Sequence, residues 1–287
     1  MRLFVFGMGY TATRLAHRLI KKGWQVAGTS RNQEAANALR AQGIDAYVFD
    51  GDSPIQDFNK AITGATHVLI SNPPGEGGDP ALLIHGNDLA SRQSIAWLGY
   101  LSTTGVYGDH KGAWVDESTA CSATSTRGKR RVSAEQGWMA LHQQHGLPVH
   151  LFRLPGIYGP GRSAIDAIRQ GRTQRIDKAG QVFCRIHVDD IVEALFASMN
   201  TPHPGGIYNL VDNEPAPPQD VTAFAAQLLG QEPAPLIPFD EAELTPMGRS
   251  FYAENKRVRN QLMKDELGIT LQYPTYREGL RALLSQE

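Results

Sequence analysis

The apolar run LFVF (3–6) breaks directly into Gly7-Met8-Gly9-Tyr10-Thr11-Ala12, and the helix-forming stretch TRLAHRLIKKG (13–23) follows at once. Few folds accept a strand, a GxGxxA turn and a helix in that order. Gly7 permits the tight turn and Gly9 lets backbone approach a pyrophosphate. That anion would rest on the orphan N–H groups of Tyr10, Thr11 and Ala12, at the positive end of the helix dipole. Ala12 is small enough for the helix to pack closely on its strand. At the first turn of a strand–helix repeat, the pattern predicts a dinucleotide-binding βαβ unit.

The repeat is there. Strands are expected at Arg2–Phe6, Gln25–Thr29, Ala46–Phe49, His67–Ser71, Gly99–Ser102 and Val149–Arg153. Helices are expected at Arg14–Lys22, Gln33–Gln42, near Ile55–Ile62, around Leu83–Ile95 and over Arg127–His145. Runs such as LFVF and HVLI are apolar on consecutive residues, as in parallel strands covered on both faces. The fold expected is α/β, a Rossmann-type doubly wound parallel sheet with a smaller, partly interleaved C-terminal substrate lobe closing over a cleft. At 287 residues the chain has about two domains' worth of length. We expect a nucleotide-binding domain over 1–155, with 185–205 returning to it, and the smaller lobe over 156–184 and 206–287. Past residue 155 the rhythm breaks at GIYGPGR, TPHPGG and EPAPPQD, and helices are expected to dominate.

The end of the second strand discriminates between cofactors. An NAD site usually carries an acid there for the ribose 2′-hydroxyl. Here the chain reads VAGTSRN (26–32), with Ser30 and Arg31 where the acid would stand. A guanidinium fork suits a phosphate, which favours NADP, with NAD as the other possibility. Asp50, after the third strand, either accepts from the adenine amino group or is a plain loop acid. Pro73, in Asn72-Pro73-Pro74, either passes over the adenosine ribose or stiffens a turn.

Four later segments carry a resemblance: LSTTGVYGDHKGAWVDE (101–117), LFRLPGIYGPGR (151–162), RIHVDDIVEAL (185–195) and IYNLVDNEP (207–215). In this order behind GxGxxA, they resemble the extended short-chain dehydrogenase/reductases, the NAD-dependent epimerase/dehydratase family. The likeness runs from Arg2 to about Asp220, and NKRVRN…LGITLQYPTYREGL resembles that family's tail. The short glycine turn is similar to an atypical branch. In the family a Ser/Thr and a Tyr bond the substrate oxygen, and a Lys four residues after the Tyr holds the nicotinamide ribose and lowers the phenol's pKa. The resemblance puts Thr103 in the Ser/Thr position, facing both substrate and cofactor, and Pro155 beside the cofactor.

The Tyr and Lys are missing. Their places, shortly before Ala134-Glu135, hold Arg127 and Arg131. Four-residue spacing keeps both on one helix face, but a guanidinium cannot shuttle a proton. Arg131 either donates to ribose hydroxyls in the catalytic pair's place or forms an i,i+4 pair with Glu135. Arg127 is expected to bind a substrate carboxylate or phosphate. Tyr107, then Tyr158 and Asp79, are the remaining candidate proton donors. Tyr158, Arg162 and Arg249 are expected to face substrate, with Tyr252 and Lys256 beside the same cleft. Thr104 and Gly105 stand where the family's dehydratases carry acids after the catalytic Thr, which argues against sugar-nucleotide dehydration. The resemblance therefore implies an NADP-dependent oxidoreductase-like protein acting on a small polar substrate. The competing expectation is a catalytically inactive NADP-binding sensor or scaffold.

Composition removes other classes. Lys and Arg number 28 against 29 Asp and Glu, so bulk electrostatic attachment to nucleic acid or anionic lipid is not expected, and RGKRR (127–131) reads as a solvated helix start. Two distant cysteines, Cys121 and Cys184, make neither a disulfide framework nor a zinc site. His142 and His145 lack a third ligand, and HVDD (187–190) is expected to open a helix with Asp189 or Asp190 as its cap, His187 packing near the cofactor domain. No metal is expected. No apolar run nears the ~18 residues of a membrane span, and MRLFVFGMG lacks a signal-peptide layout. The expectation is a cytoplasmic protein whose fold starts at Met1, monomeric or homodimeric.

Overall fold

The computed structural model describes residues 1–171 and 174–285. Its elements run β1 (Arg2–Phe6), α1 (Tyr10–Lys21), β2 (Gln25–Ser30), α2 (Gln33–Arg40), β3 (Asp45–Val48), α3 (Phe58–Ile62), β4 (His67–Ile70), α4 (Pro80–Ala90) and β5 (Trp97–Thr103). A 3-10 turn (Thr104–Tyr107) and β6 (Trp114–Val115) precede α5 (Thr126–His145) and β7 (Val149–Leu154). Then come β8 (Gly156–Tyr158), α6 (Ala164–Arg169), β9 (Arg175–Asp177), β10 (Arg185–His187), α7 (Val188–Asn200) and β11 (Ile207–Asn209). The chain ends with α8 (Pro218–Leu228), β12 (Leu236–Pro238), α9 (Pro246–Phe251), β13 (Arg257–Val258), α10 (Gln261–Leu267) and α11 (Tyr276–Ser285).

Two compact units form. The first comprises Met1–Thr103, Thr126–Arg153 and Val192–Tyr208. Its sheet is ordered β11-β7-β5-β4-β1-β2-β3, and the pairs β1–β2, β1–β4, β2–β3 and β4–β5 are parallel. The order reverses direction between β1 and β4, the place where doubly wound sheets open a crevice beyond their strand ends. Leu3, Phe4, Val5 and Phe6 of β1 are fully buried, as helices on both faces require. Phe4, Phe6, Phe49 and Phe58 pack with Val68 and Ile70 on one side of the sheet. Helix α1 buries Thr11, Ala12, Leu15, Ala16 and Leu19, spacings that form one stripe, and Arg18 holds Glu193 of α7 through two nitrogens. Helix α2 is capped by Asn32, whose Oδ1 accepts the Ala35 N–H at 2.9 Å. Helix α4 carries Pro80 at its first turn and Asp79 as its cap.

The second unit comprises Thr104–Ser125, Leu154–Ile191 and Asn209–Glu287, with its description limited as above. Helix dominance was expected here, but three short parallel pairs, β8–β10, β9–β12 and β6–β13, tie distant segments together. Strands of two or three residues carry no readable periodicity, which is why at most the motifs around them were visible. Asp189 and Asp190 both stand in the first turn of α7, where the His187 ring nitrogen accepts the Asp189 N–H at 3.2 Å, and the Asp190 carboxylate accepts the backbone N–H groups of Gln272 at 2.7 Å and Tyr273 at 3.1 Å. His187 lies against the rings of Tyr158 and Tyr273. The main core joins Tyr158, Ile165, Ile168, Val221, Ala225, Tyr276 and Leu280. Among the described residues, no helix is long and apolar enough to cross a membrane, and no cluster of three or more His, Cys, Asp or Glu is placed to hold a metal ion.

Candidate functional site

In the first unit the glycine turn follows β1 at the strand-order reversal. Gly7 adopts φ +84°, and a Cβ there would lie 2.9 Å from the Asn72 backbone nitrogen, so only glycine fits. Two bonds lash the turn to β2: Gly7 N–H to Thr29 Oγ1 at 2.9 Å, and Met8 N–H to the Thr29 carbonyl at 2.8 Å. Gly9 stands at the N-cap of α1 in extended conformation, with no side chain capping the helix. A Cβ added to Gly9 meets nothing within 4 Å. Half-buried Tyr10 begins the helix, with Thr11 and Ala12 buried beneath it. Across the turn, the Asn72 side-chain amide is buried and neither its nitrogen nor its oxygen has a partner among the described residues. Open space for an anion and a partnerless amide beside it fit a dinucleotide pyrophosphate and its ribose.

The cofactor-discriminating residues divide. Ser30 Oγ donates to the Asn32 carbonyl at 3.0 Å, and Asn32 Oδ1 caps α2. Arg31 is exposed between them. Asp50 is exposed too, and its Oδ1 accepts the N–H groups of Asp52 at 2.9 Å and Ser53 at 3.3 Å. Those backbone donors hold its carboxyl below the usual range, so it is an acceptor at neutral pH. Pro73 is exposed directly after Asn72.

At the end of β5, Thr103 is half-buried and Arg131 of α5 reaches the same strand. The Arg131 guanidinium donates to the Leu101 carbonyl at 2.6 Å and the Tyr100 hydroxyl at 3.1 Å, and lies over the Tyr100 ring. The alternative i,i+4 pair with Glu135 is overturned. Glu135 is buried and faces inward, accepting from Ser102 Oγ at 2.5 Å and from Arg153 Nε and Nη2 at 3.1 and 2.7 Å. This buried fork ties β5, α5 and β7 beside Thr103. Arg127, one turn before Arg131, is exposed. Asp79 is only 2% exposed, caps α4 at Leu82 and accepts from the Trp138 indole at 3.3 Å. Burial raises its pKa, but these bonds assign it to the core.

In the second unit, Pro155 follows β7 and is half-buried. Two proton-donor expectations are corrected there. Tyr107 is fully buried and its hydroxyl donates to Asn209 Oδ1 at 2.8 Å, a packing role. Tyr158 is 7% exposed, and burial with nearby Asp212 and Asp190 drives its phenol pKa far up, the wrong direction for an acid at neutral pH. Tyr158 nonetheless lines a cavity together with Arg162, which closes a tight antiparallel bridge to Gly159. Arg249 lies over Phe239 and donates to the Ala242 carbonyl at 3.2 Å, and Tyr252 packs against Phe183 and Phe239. Lys256 donates to the Gly108 carbonyl and Glu254. Arg249 braces its own segment, whereas Tyr252 and Lys256 tie it to Phe183 and Gly108.

Sequence reasoning missed the Glu135–Arg153 fork and the electrostatic coupling of half-buried Arg185 with buried Asp212. Burial pushes the Asp212 carboxyl up to about 8. A charged residue inside LFRLPG was the available signal for the first; the second had none.

Residues 3–210 match the NAD dependent epimerase/dehydratase family. Protein YeeZ of Escherichia coli K12 is 28% identical over 95% of this chain and 96% of its own. A functionally unknown conserved protein from Silicibacter pomeroyi DSS superposes with a TM-score of 0.92 at 51% identity, covering 99% of this chain and 98% of that one. The UDP-glucuronic acid 4-epimerase of Bacillus cereus, solved in complex with NAD, gives a TM-score of 0.79 at 16% identity, over 99% and 96% of the two chains.

Proposed function

The chain belongs to the NAD dependent epimerase/dehydratase family, and we propose that it is an NADP(H)-binding oxidoreductase-like protein for a small polar substrate, with an arginine pair in place of the usual tyrosine and lysine. The observation that carries this reading is the open glycine turn: an uncapped helix start at Gly9, clear space above it and the partnerless Asn72 amide beside it. Gly7, Gly9, Tyr10, Thr11 and Ala12 form the cradle for the pyrophosphate. Exposed Arg31 takes a 2′-phosphate through its planar fork, with Ser30 fixing the turn that presents it. Asp50 accepts from the adenine amino group, and Pro73 and Pro155 bound the cofactor. When bound, the nicotinamide supplies or accepts a hydride.

The residues of the chain do the rest. Thr103 orients a substrate oxygen. Arg131, anchored on β5 by Leu101 and Tyr100, keeps nitrogen donors at the strand end for ribose hydroxyls. Arg127 offers charge to a substrate carboxylate or phosphate, as does Arg162. None of these groups is an acid strong enough to deliver a proton as hydride arrives near neutral pH. Wild-type protein is therefore expected to consume little NADPH with simple carbonyl compounds and to leave UDP-sugars unepimerised. The Arg127→Tyr, Arg131→Lys double variant is expected to raise carbonyl-dependent NADPH consumption by about a hundredfold, the low end of a positioned general acid's contribution. NADPH absorbance against a carbonyl panel reads both proteins. No gain in the double variant, or robust wild-type epimerisation of a UDP-sugar, would refute the assignment of this pair.

A further inference from the structure

The second unit contains a cavity of about 390 Å³ walled by Tyr158, Arg162, Arg185, Val221, Tyr276 and Leu280, among others. We infer that this cavity is a binding site for a small organic acid, whose oxyanion meets Arg162 and Arg185 and the Tyr276 hydroxyl while its body lies on the apolar wall. The inference deepens the reading of Tyr158 and Arg162 as ligand-facing and stands whichever dinucleotide the first unit takes.

Arg185 is the centre of the argument. Its Nη1 donates to the Phe183 carbonyl at 2.8 Å and the Ala216 carbonyl at 3.1 Å, which fixes the plane of the guanidinium. Its charged carbon sits 5.9 Å from the Tyr276 ring centre. Two neutral carbonyls do not compensate a cation drawn out of water, and burial accordingly weakens its hold on the proton. Asp212 is the nearby acid, but its Oδ1 accepts the Glu214 N–H at 3.1 Å and its Oδ2 is buried without a partner. Burial pushes the Asp212 carboxyl up to about 8, which weakens the counter-charge it offers Arg185 near neutral pH. Tyr276 is 1% exposed and its hydroxyl has no partner among the described residues, a buried donor that a ligand oxygen would satisfy. The single acid on the cavity wall, Asp166, accepts from Ser163 Oγ at 2.5 Å at the start of α6. The wall thus carries two guanidinium groups, Arg162 and Arg185, beside one engaged carboxylate. Val221 and Leu280 add an apolar face, and the volume is that of a small-molecule pocket.

Calorimetric titration at pH 7 with phenylacetate, phenyl phosphate and the neutral isostere phenylacetamide tests the site on the full chain. At least one of the two acids is expected to saturate in the millimolar range or below, about tenfold or more tighter than the amide. The tighter acid identifies the oxyanion as carboxylate or phosphate. Tyr276→Phe, which removes one oxygen atom, and Arg162→Gln, at an exposed position, are each expected to weaken the acid about fivefold and leave the amide unchanged. An amide as tight as both acids, acid affinities within about twofold in both variants, or no saturation by any probe would overturn the inference. NADPH is titrated in parallel, so the loss of one binding event without the other tells which reading failed.

Discussion

Replacing Gly9 with valine is expected to abolish NADP(H) binding, by about a hundredfold or more, while the protein keeps its fold. The size follows from the contacts at stake: two charge-assisted bonds from helix amides to a pyrophosphate, at about 1.5 kcal/mol each, already amount to that factor. The specificity follows from the backbone. Gly9 has φ −93°, which any residue adopts, and its Cβ would enter empty space. The folded chain therefore loses only what a poor N-cap costs, below about 1 kcal/mol, whereas the valine methyls fill the volume the phosphates need. Gly7 is the instructive opposite, because its φ of +84° and the Asn72 backbone at 2.9 Å would make even alanine a folding defect. Fluorescence titration with NADPH, paired with circular dichroism and a urea midpoint, checks the Gly9 variant. Unchanged affinity in a folded Gly9→Val protein would remove the pyrophosphate from this turn.

The second large effect concerns the floor of the same unit. Glu135→Ala is expected to destabilise the protein by about 3–5 kcal/mol, the usual cost of leaving half of a buried ion pair uncompensated. Glu135 accepts from Arg153 through two nitrogens and from Ser102, and the side chains of Glu135 and Arg153 are 6% and 5% exposed. Removing both charges together, in Glu135→Leu with Arg153→Met, is expected to cost clearly less than Glu135→Ala alone, since no orphaned cation remains. Urea unfolding of the three proteins reads the difference. A single variant within about 1 kcal/mol of wild type would show that the fork is solvated and does not brace β5.

How much of this was legible in the residues depends on the length of the element that carried it. Strand β1 was read to its ends because LFVF is bounded by a glycine turn, and the fold class followed from that turn and the strand–helix repeat. Strand β5 was read short, as Gly99–Ser102, because Trp97 and Leu98 precede a glycine that breaks the apolar run, whereas the strand spans Trp97–Thr103. The seventh strand, β11, and the pairs β8–β10 and β6–β13 fall only within motifs, and β9–β12 carries no motif at all, for these strands have two or three residues each and are made by long-range pairing. Site residues followed the same rule. Thr103 and Arg131 could be placed from a motif and a spacing, and the structure brings both to the end of one strand. The roles of Tyr107, Tyr158 and Arg249 depended on side-chain direction, which spacing does not encode: Tyr107 turns inward to Asn209, Tyr158 sits beside two carboxylates and Arg249 lies on Phe239. Asn72 drew notice only as the residue before two prolines, and its partnerless amide is a property of the folded turn.

The central claim is that the first unit binds a dinucleotide through the Gly9 turn and selects its 2′-phosphate through Arg31. A paired equilibrium titration of NADPH and NADH against wild type and Arg31→Ala measures it most directly. Arg31 is exposed and follows a serine already bonded to Asn32, so its removal disturbs only what binds there. The wild type is expected to favour NADPH by a contribution of about 1.5–3 kcal/mol, roughly ten- to a hundredfold, and Arg31→Ala is expected to erase the preference while leaving NADH affinity in place. Equal affinities for NADPH and NADH in the wild type would contradict the account.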